Sequence, residues 1–307
     1  MKNALVGYTG FVGSNLLVNG EFEGLYNSKN VLEAYGTKPE LLIYTGLPAE
    51  KFLANKNPKA DLKIIEQAKN NIERIDPQRI VLISTVDVLR DTRGRDEDAL
   101  VDTDDLQPYG LHRFYLEKWV QDNFNNVSII RLPGLYGVNL KKNFIYDFIN
   151  VIPQMLSESK YEELLAKEKK LQDYYCLQEN GFYSCRDITK ADRQTLKEIF
   201  SSLGFTALNF TDSRNTYQFY PLSRLWSDIQ IVIEKEIKVF HPATEPVSTG
   251  ELYQFLSGNQ FTNEILDKVV SYDYRTKYCE YFGGKGGYIM NKKQIMDDIK
   301  NFVGEYR

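Results

Sequence analysis

The sequence predicts a doubly wound, mostly parallel α/β sheet followed by a smaller α/β region. Three observations carry this expectation. The short runs 3–8, 40–46, 79–85 and 127–133 are apolar almost throughout rather than alternately, as strands are when both faces of a parallel sheet are covered. Segments with apolar residues at helical spacing separate them, which is the βαβα order of a doubly wound sheet. Glycines recur at three-residue intervals directly after the first run, where a strand gives way to a helix.

Taken in order, "NALVGY" is the first strand and "FVGSNLLVNG" the first helix. Residues 23–31 hold one more short strand, but too little sequence remains before Pro39 for a further full βα unit. Then follow the strand "ELLIYTG", the helix "PKADLKIIEQAKNNIERI", the strand "RIVLIST", the helix "PYGLHRFYLEKWVQDNF" and the strand "VSIIRLP". After about Tyr136 the rhythm changes. "SESKYEELLAKEKKL" reads as a charge-laced, solvated helix. Beyond it come "TYQFYPL", a helix "SRLWSDIQIVIEK", a strand "IKVFH", a helix from Gly250 and a last amphipathic helix from Asn291. Neither a repeat nor a low-complexity linker divides the chain. The expectation is a dinucleotide-binding domain over 1–137 and a substrate-binding region over 138–307, partly interwoven with it.

The bulk composition narrows the classes. At 307 residues with 42% hydrophobic content, the chain is long enough for one large domain and a smaller one, with a sizeable core. Lys plus Arg number 38 against 42 for Asp plus Glu, a net charge of -4. No basic stripe marks a nucleic-acid surface. Cys176, Cys185 and Cys279 form no C-x-x-C pair, and only His112 and His241 accompany them. A Cys/His zinc site is not expected, no metal is assigned, and the cysteine usage fits a reducing compartment. Gly7, Thr9, Gly10, Gly13, Ser14 and Asn15 interrupt the N-terminal apolar run, and no run of 18 apolar residues occurs elsewhere. A cytoplasmic protein without a membrane segment is the expectation. Its partners are small molecules or copies of itself.

"ALVGYTGFVGSNLL" places Gly7, Gly10 and Gly13 around Thr9, Phe11 and Val12, after a strand and opening a helix. Glycine permits the tight turn and close backbone approach, and the helix N-terminus offers N–H groups to a pyrophosphate. A plain strand–turn–helix corner is the alternative. An acidic residue roughly 20 positions on selects the NAD ribose in such folds. Here that region carries Asn27, Ser28 and Lys29 instead. Small polar groups and a cation suit a 2′-phosphate, so the cofactor is NAD(P), with NADP ahead of NAD.

On the helix opening at Pro108, Tyr109 and Arg113 stand at i and i+4 and point the same way. A cation beside a phenol lowers its pKa and makes it a usable acid or base. By itself the segment reads first as a surface helix with one exposed Tyr and ordinary charges.

With the glycine loop, the strand end "LISTVDVL" and the "YGLHR" helix in this order, the chain resembles the extended short-chain dehydrogenase/reductases. These are the NAD-dependent epimerase/dehydratase group that modifies nucleotide sugars. The family pattern Ser-Thr-x-x-Val-Tyr falls on "STVDVL" and places its hydroxyl residue at Thr85. The family's Tyr-x-x-x-Lys falls on Tyr109, with Glu117 as the later acid, and "RLPGLYG" resembles the strand ending in Arg-x-x-x-x-Tyr-Gly. "FHPATEPVSTGELYQFL" is similar to the segment leading to a late substrate-domain helix. The resemblance covers most of 1–260, with no counterpart for roughly 140–215. The departure is Arg113, where the family has Lys.

The resemblance implies a Rossmann-type fold with an interwoven C-terminal α/β substrate domain, and an NAD(P)-dependent oxidoreductase or epimerase acting on a nucleotide-linked sugar. Tyr109 would be the acid/base and Thr85 would hydrogen-bond the same substrate oxygen. Arg113 would hold Tyr109 toward phenolate and touch the cofactor ribose. Tyr44, Thr45 and Gly46 would flank the adenosine side of the cofactor, with Tyr44 equally an ordinary buried aromatic, and Pro133 and Gly134 would flank the nicotinamide or form a structural turn. Lys141, Lys142, Arg214, Arg275 and Lys285 are candidates for substrate phosphates. A homodimer is implied. Reduction, epimerisation and dehydration stay open, and a dinucleotide-binding or regulatory protein without turnover is the alternative.

Overall fold

The computed structural model describes residues 2–305. Its apolar runs form β1 (Asn3–Val6), β2 (Gly24–Tyr26), β3 (Leu41–Tyr44), β4 (Ile80–Thr85) and β5 (Val127–Leu132). They join in the order β2-β1-β3-β4-β5, and Val239–Phe240 adds a sixth strand beside β5. Every pairing in this sheet is parallel, with Ala4 opposite both Gly24 and Leu42, and Leu82 opposite both Tyr44 and Ile129. The doubly wound fold class is thus observed. All four residues of β3 and all six of β4 and of β5 are buried, which is why these runs show no alternation in sequence.

β1 has β2 on one side and β3 on the other, so the direction of winding reverses there. Such a reversal opens a crevice at the carboxyl ends of the strands. Between β2 and β3 lies only a 3-10 turn, Val31–Ala34, in place of a helix. The shortness of the sequence before Pro39 allows nothing longer.

Four helices accompany the strands up to β5: α1 (Phe11–Asn19), α2 (Lys51–Lys56), α3 (Pro58–Ile75) and α4 (Pro108–Asn123). α3 starts where Asn57 accepts from the Ala60 N–H with Pro58 in the first turn, and ends at Asp76 in the left-handed region, a conventional start and stop. Its stripe of Ile65, Ala68, Ile72 and Ile75 packs with Leu116 and Val120 of α4 onto β1, β3, β4 and β5. α2 was not expected. Ala54 is its one buried residue, so it has no apolar periodicity to betray it.

Helix α4 comes against neighbouring backbone at Gly110. A methyl group there would collide with the carbonyl oxygen of Asp87, in the 3-10 turn Val86–Val88 that follows β4. Only glycine lets α4 lie this near.

The chain divides into two compact units. The first comprises the residues up to Leu140 with Tyr217–Val247 and Ser271–Asp298, and the second comprises Lys141–Thr216, Ser248–Val270 and the residues from Ile299 on. The second unit contains an antiparallel sheet with Phe182–Cys185 between Met155–Ser157 and Tyr175–Leu177. The helix Glu158–Lys167 is less solvated than its charges suggest, because Tyr161 and Leu164 are buried with Leu156, Leu196 and Phe200. Tyr161 also stacks on Tyr183 at 3.8 Å. Among the described residues, no helix is long and apolar enough to cross a membrane.

Gly110→Ala is expected to destabilise the protein by about 1–3 kcal/mol or more through overpacking against rigid backbone. Gly304→Ala meets open space on a helix and is expected to be neutral or stabilising by up to about 1 kcal/mol. Urea midpoints of the two variants check the contrast.

Candidate active site

The glycine loop fills the crevice at the sheet's reversal point. Gly7 has φ +92°, and a side chain on it would fall 2.6 Å from Thr45 Oγ1. Its N–H donates to the Tyr26 carbonyl at 2.7 Å. Thr45 in turn donates to the Val6 carbonyl from its N–H at 2.9 Å and its hydroxyl at 2.8 Å. The loop is thereby pinned to the ends of β2 and β3 together. Gly13 packs so tightly on the Gly7 carbonyl that no side chain fits.

Gly10 caps α1 without a side-chain hydrogen bond, and the first turn holds no acid. The N–H groups and positive end of this helix are left to an anion. Thr9 and Gly10 are exposed there, with Phe11 and Val12 half-buried behind them. Asn15, which sequence reasoning missed, clamps the helix: its amide donates to the Phe11 and Val138 carbonyls, both at 2.8 Å, and accepts from the Val138 N–H at 3.0 Å.

Directly after Tyr26, Asn27 accepts the Lys29 N–H at 2.8 Å, and Asn30 accepts the Asn27 N–H at 2.8 Å. This turn holds Ser28 and Lys29 exposed beside the strand end that anchors Gly7. Tyr44 is placed otherwise. It is 2% exposed, belongs to the main core and takes a long hydrogen bond from Asn71. Burial pushes its pKa up to about 12. The adenosine-side role expected of it does not suit a side chain buried in the core, whereas Thr45 and Gly46 remain at the loop.

A cavity of about 110 Å³ is lined by Val12, Thr45, Thr85, Tyr109, Arg113 and Pro133 among others. The structure therefore gathers loop, strand end and helix at one place. Gly134 follows Pro133 and opens a short strand paired with Phe219–Pro221. Thr85 ends β4, and its hydroxyl oxygen accepts the Asp87 N–H at 3.2 Å. Tyr109 lies in the first turn of α4, its N–H donated to Asn55 at 2.9 Å. The Thr85 hydroxyl is also among the groups that pull the pKa of the Tyr109 phenol down, as the weakest of them.

Arg113 sits differently from the expectation. Its Nη1 donates to both Asp61 oxygens at 2.8 and 2.7 Å and to the Tyr109 carbonyl at 3.2 Å, and its Nη2 donates to the Pro48 carbonyl at 2.9 Å. Asp61 also bonds His112 Nδ1 at 2.8 Å. The guanidinium carbon stands 3.9 Å from the centroid of the Tyr109 ring, over its face. Burial is the dominant influence on the phenol and raises its pKa, while Arg113 lowers it, Asp87 raises it and Lys51 lowers it. The expected pull toward phenolate is present but outweighed. Tyr109 therefore keeps its phenolic proton at neutral pH.

Beside it lies a polar group whose Lys51 and Tyr272 sequence reasoning missed. Asp87 Oδ1 accepts from Lys51 Nζ at 2.8 Å and from the Tyr272 hydroxyl at 2.8 Å. Lys51 Nζ is also 3.3 Å from that hydroxyl. Behind the site, Glu117 accepts from Ser84 at 2.5 Å and from Arg131 at 2.7 Å, and Arg131 reaches His241 at 3.4 Å. His241 is fully buried, and burial with the nearby Arg131 pushes its pKa down to about 3. It is a neutral structural residue that helps lock α4 to β5. Of the phosphate candidates, Arg214 is paired with Asp212 and Glu264, and Arg275 with Asp273.

No family model matches the chain, and no curated protein does. Solved structures do match. A dTDP-4-dehydrorhamnose reductase from Yersinia enterocolitica is 12% identical with a TM-score of 0.65, covering 100% of both chains. One from Bacillus anthracis, in complex with NADP, is 14% identical with a TM-score of 0.61 over 99% of both. MoeE5 in complex with UDP-glucose and NAD is 13% identical with a TM-score of 0.59, over 100% of this chain and 98% of that one. The chain therefore shares the Rossmann-type fold of these solved structures. At such identities the likeness concerns the fold.

Arg113→Ala is expected to cost about 3–5 kcal/mol, because it leaves buried Asp61 without its strongest partner. Asp61→Leu with Arg113→Met should cost less than the sum of the two single changes. Chemical denaturation of the four proteins in this cycle measures the coupling.

Proposed function

We propose that the chain is an NAD(P)-dependent enzyme that reduces a carbonyl on a nucleotide-linked sugar, with Tyr109 as proton donor and Thr85 bonding the same substrate oxygen. The single observation that supports it most is the convergence of the glycine loop, Thr85 and a protonated Tyr109 on one cavity. A donor that carries its proton at neutral pH suits reduction, where the forming alkoxide must be protonated. The residues fit the cofactor. The uncapped N-terminus of α1 and the open approach over Gly10 would take the pyrophosphate, Thr45 and Gly46 the adenosine side, and Pro133 and Gly134 the nicotinamide, which when bound supplies the hydride. Asn27, Ser28 and Lys29 favour NADP over NAD. The similar structures hold NADP in one case and NAD in another, so this preference stands on the turn alone. Pairing of two copies through the exposed Phe52, Leu62 and Tyr115 of α2, α3 and α4 belongs to the same proposal, as does a cytoplasmic site of action.

A second reading is a dinucleotide-binding protein without turnover. The commitment of Arg113 to Asp61 and Pro48 favours it, because the cation is not free to meet a ribose.

Two experiments test the proposal. Gly10→Val is expected to abolish binding of NADH and NADPH, followed by nucleotide fluorescence, with the fold retained by circular dichroism. Absence of saturable binding by the wild type up to millimolar nucleotide would sink it. Tyr109→Phe is expected to keep nucleotide affinity and lose roughly 100-fold or more in turnover across a panel of 4-keto nucleotide sugars. Full activity in that variant would leave the non-enzymatic reading.

A further inference from the structure

An acid that gives its proton away in each cycle must recover it, and Arg113 is not suited to supply it. Both of its terminal nitrogens are committed, to Asp61, the Tyr109 carbonyl and the Pro48 carbonyl, and a guanidinium does not release a proton in proteins. The other cation acting on the phenol is Lys51. Its ammonium is 2.8 Å from Asp87 and 3.3 Å from the Tyr272 hydroxyl, and its side chain is 48% exposed. It is both held and open to water.

Two independent contacts index Lys51 to Tyr109. Asn55, on the same short helix as Lys51, takes the Tyr109 N–H at 2.9 Å. Asp87, which holds the ammonium, lies on the turn against which Gly110 packs. Tyr272 completes the clamp. Burial and the Asp87 carboxylate both raise its pKa, so it stays a hydroxyl that donates to Asp87. The charged and titratable groups around the Tyr109 phenol are thus Asp87, Lys51 and Tyr272 on one side and Arg113 over the ring face.

We infer that Lys51, held by Asp87 and Tyr272, is the proton source that restores Tyr109 after each reduction. This rests on the reading of the chain as a carbonyl reductase. As a dihydronicotinamide delivers hydride to the carbonyl carbon, the Tyr109 O–H bond breaks and the substrate O–H bond forms. The phenolate then takes a proton from the Lys51 ammonium, and the neutral amine recovers one from solvent. One hydride and one solvent proton are consumed per carbonyl reduced. Lys51 acts through Tyr109, and Asp87 and Tyr272 are positioning residues.

Lys51→Arg and Lys51→Met separate charge from proton supply. Arginine keeps the charge and the Asp87 pair but releases no proton, so both variants are expected to fall at least about tenfold in kcat with substrate KM little changed. Added ethylamine should restore turnover to Lys51→Met. Wild-type kcat in Lys51→Arg, or no amine rescue of Lys51→Met, would overturn the inference. A measurement on the cofactor-free protein stands apart from the proposed reaction. With 3,5-difluorotyrosine placed at position 109, whose phenol ionises near neutral pH, its ionisation is followed by ¹⁹F NMR. Lys51→Met should weaken that ionisation roughly tenfold, through loss of a nearby positive charge, and Lys51→Arg should leave it near the wild-type value. An unchanged titration in Lys51→Met would remove Lys51 from the site even if no substrate is ever turned over. Inactivity of the wild type with a normal titration shift would instead count against the reductase reading alone.

Discussion

The contact on which the site depends is the approach of α4 to the turn after β4, where Gly110 meets the Asp87 carbonyl. Helix and strand end are brought within backbone contact, and the side chains on either side of that contact have few places to go. Tyr109, one residue before the glycine, is carried to Thr85. Arg113, one helical turn later, is laid over the Tyr109 ring and onto Asp61 of the neighbouring helix. Asp87 itself is turned toward Lys51 and Tyr272. A side chain at position 110 would push α4 away from that turn, and Tyr109 with it.

The electrostatics follow from that crowding. A phenol over which a guanidinium stands is stabilised as phenolate, yet the packing that brings the guanidinium also strips water from the phenol. Here the second effect is larger. The guanidinium's charge is further offset by Asp61, which Arg113 and His112 share. The helix thus carries a cation that orders the site more than it titrates it. A second cation, Lys51, comes from α2, and Asp87 lies between the two helices as its partner.

Much of this was readable in the sequence, for definite reasons. β1, β3, β4 and β5 are covered on both faces, so their apolar runs are unbroken, and α3 and α4 lie between them at the expected spacing. The glycine loop was legible because Gly13 is required by the Gly7 carbonyl six residues before it, within one short motif, although Gly7 itself is required by the distant Thr45. What escaped was non-local. Asp61 and Arg113 are far apart in the chain and share no motif, and Lys51, Asp87 and Tyr272 come from three separate regions. α2 has a single buried residue and no period to detect. Of its two readings Tyr44 takes the buried aromatic, because a strand end offers two faces and its neighbour Thr45 took the one toward the loop. The charges of Glu158–Lys167 concealed the buried Tyr161 and Leu164 between them.

The sheet's last strand has a consequence for how the chain is made. β5 is complete at Leu132, but its outer neighbour, Val239–Phe240, emerges from the ribosome only after the whole of Lys141–Thr216. Through that interval the nascent sheet presents β5, buried along its length in the finished protein, as an open hydrophobic edge. Such an edge is a template for pairing with other chains. The long excursion between β5 and its partner therefore sets a window during synthesis in which this protein depends on prompt shielding of one strand, and a slow stretch of translation there would lengthen it.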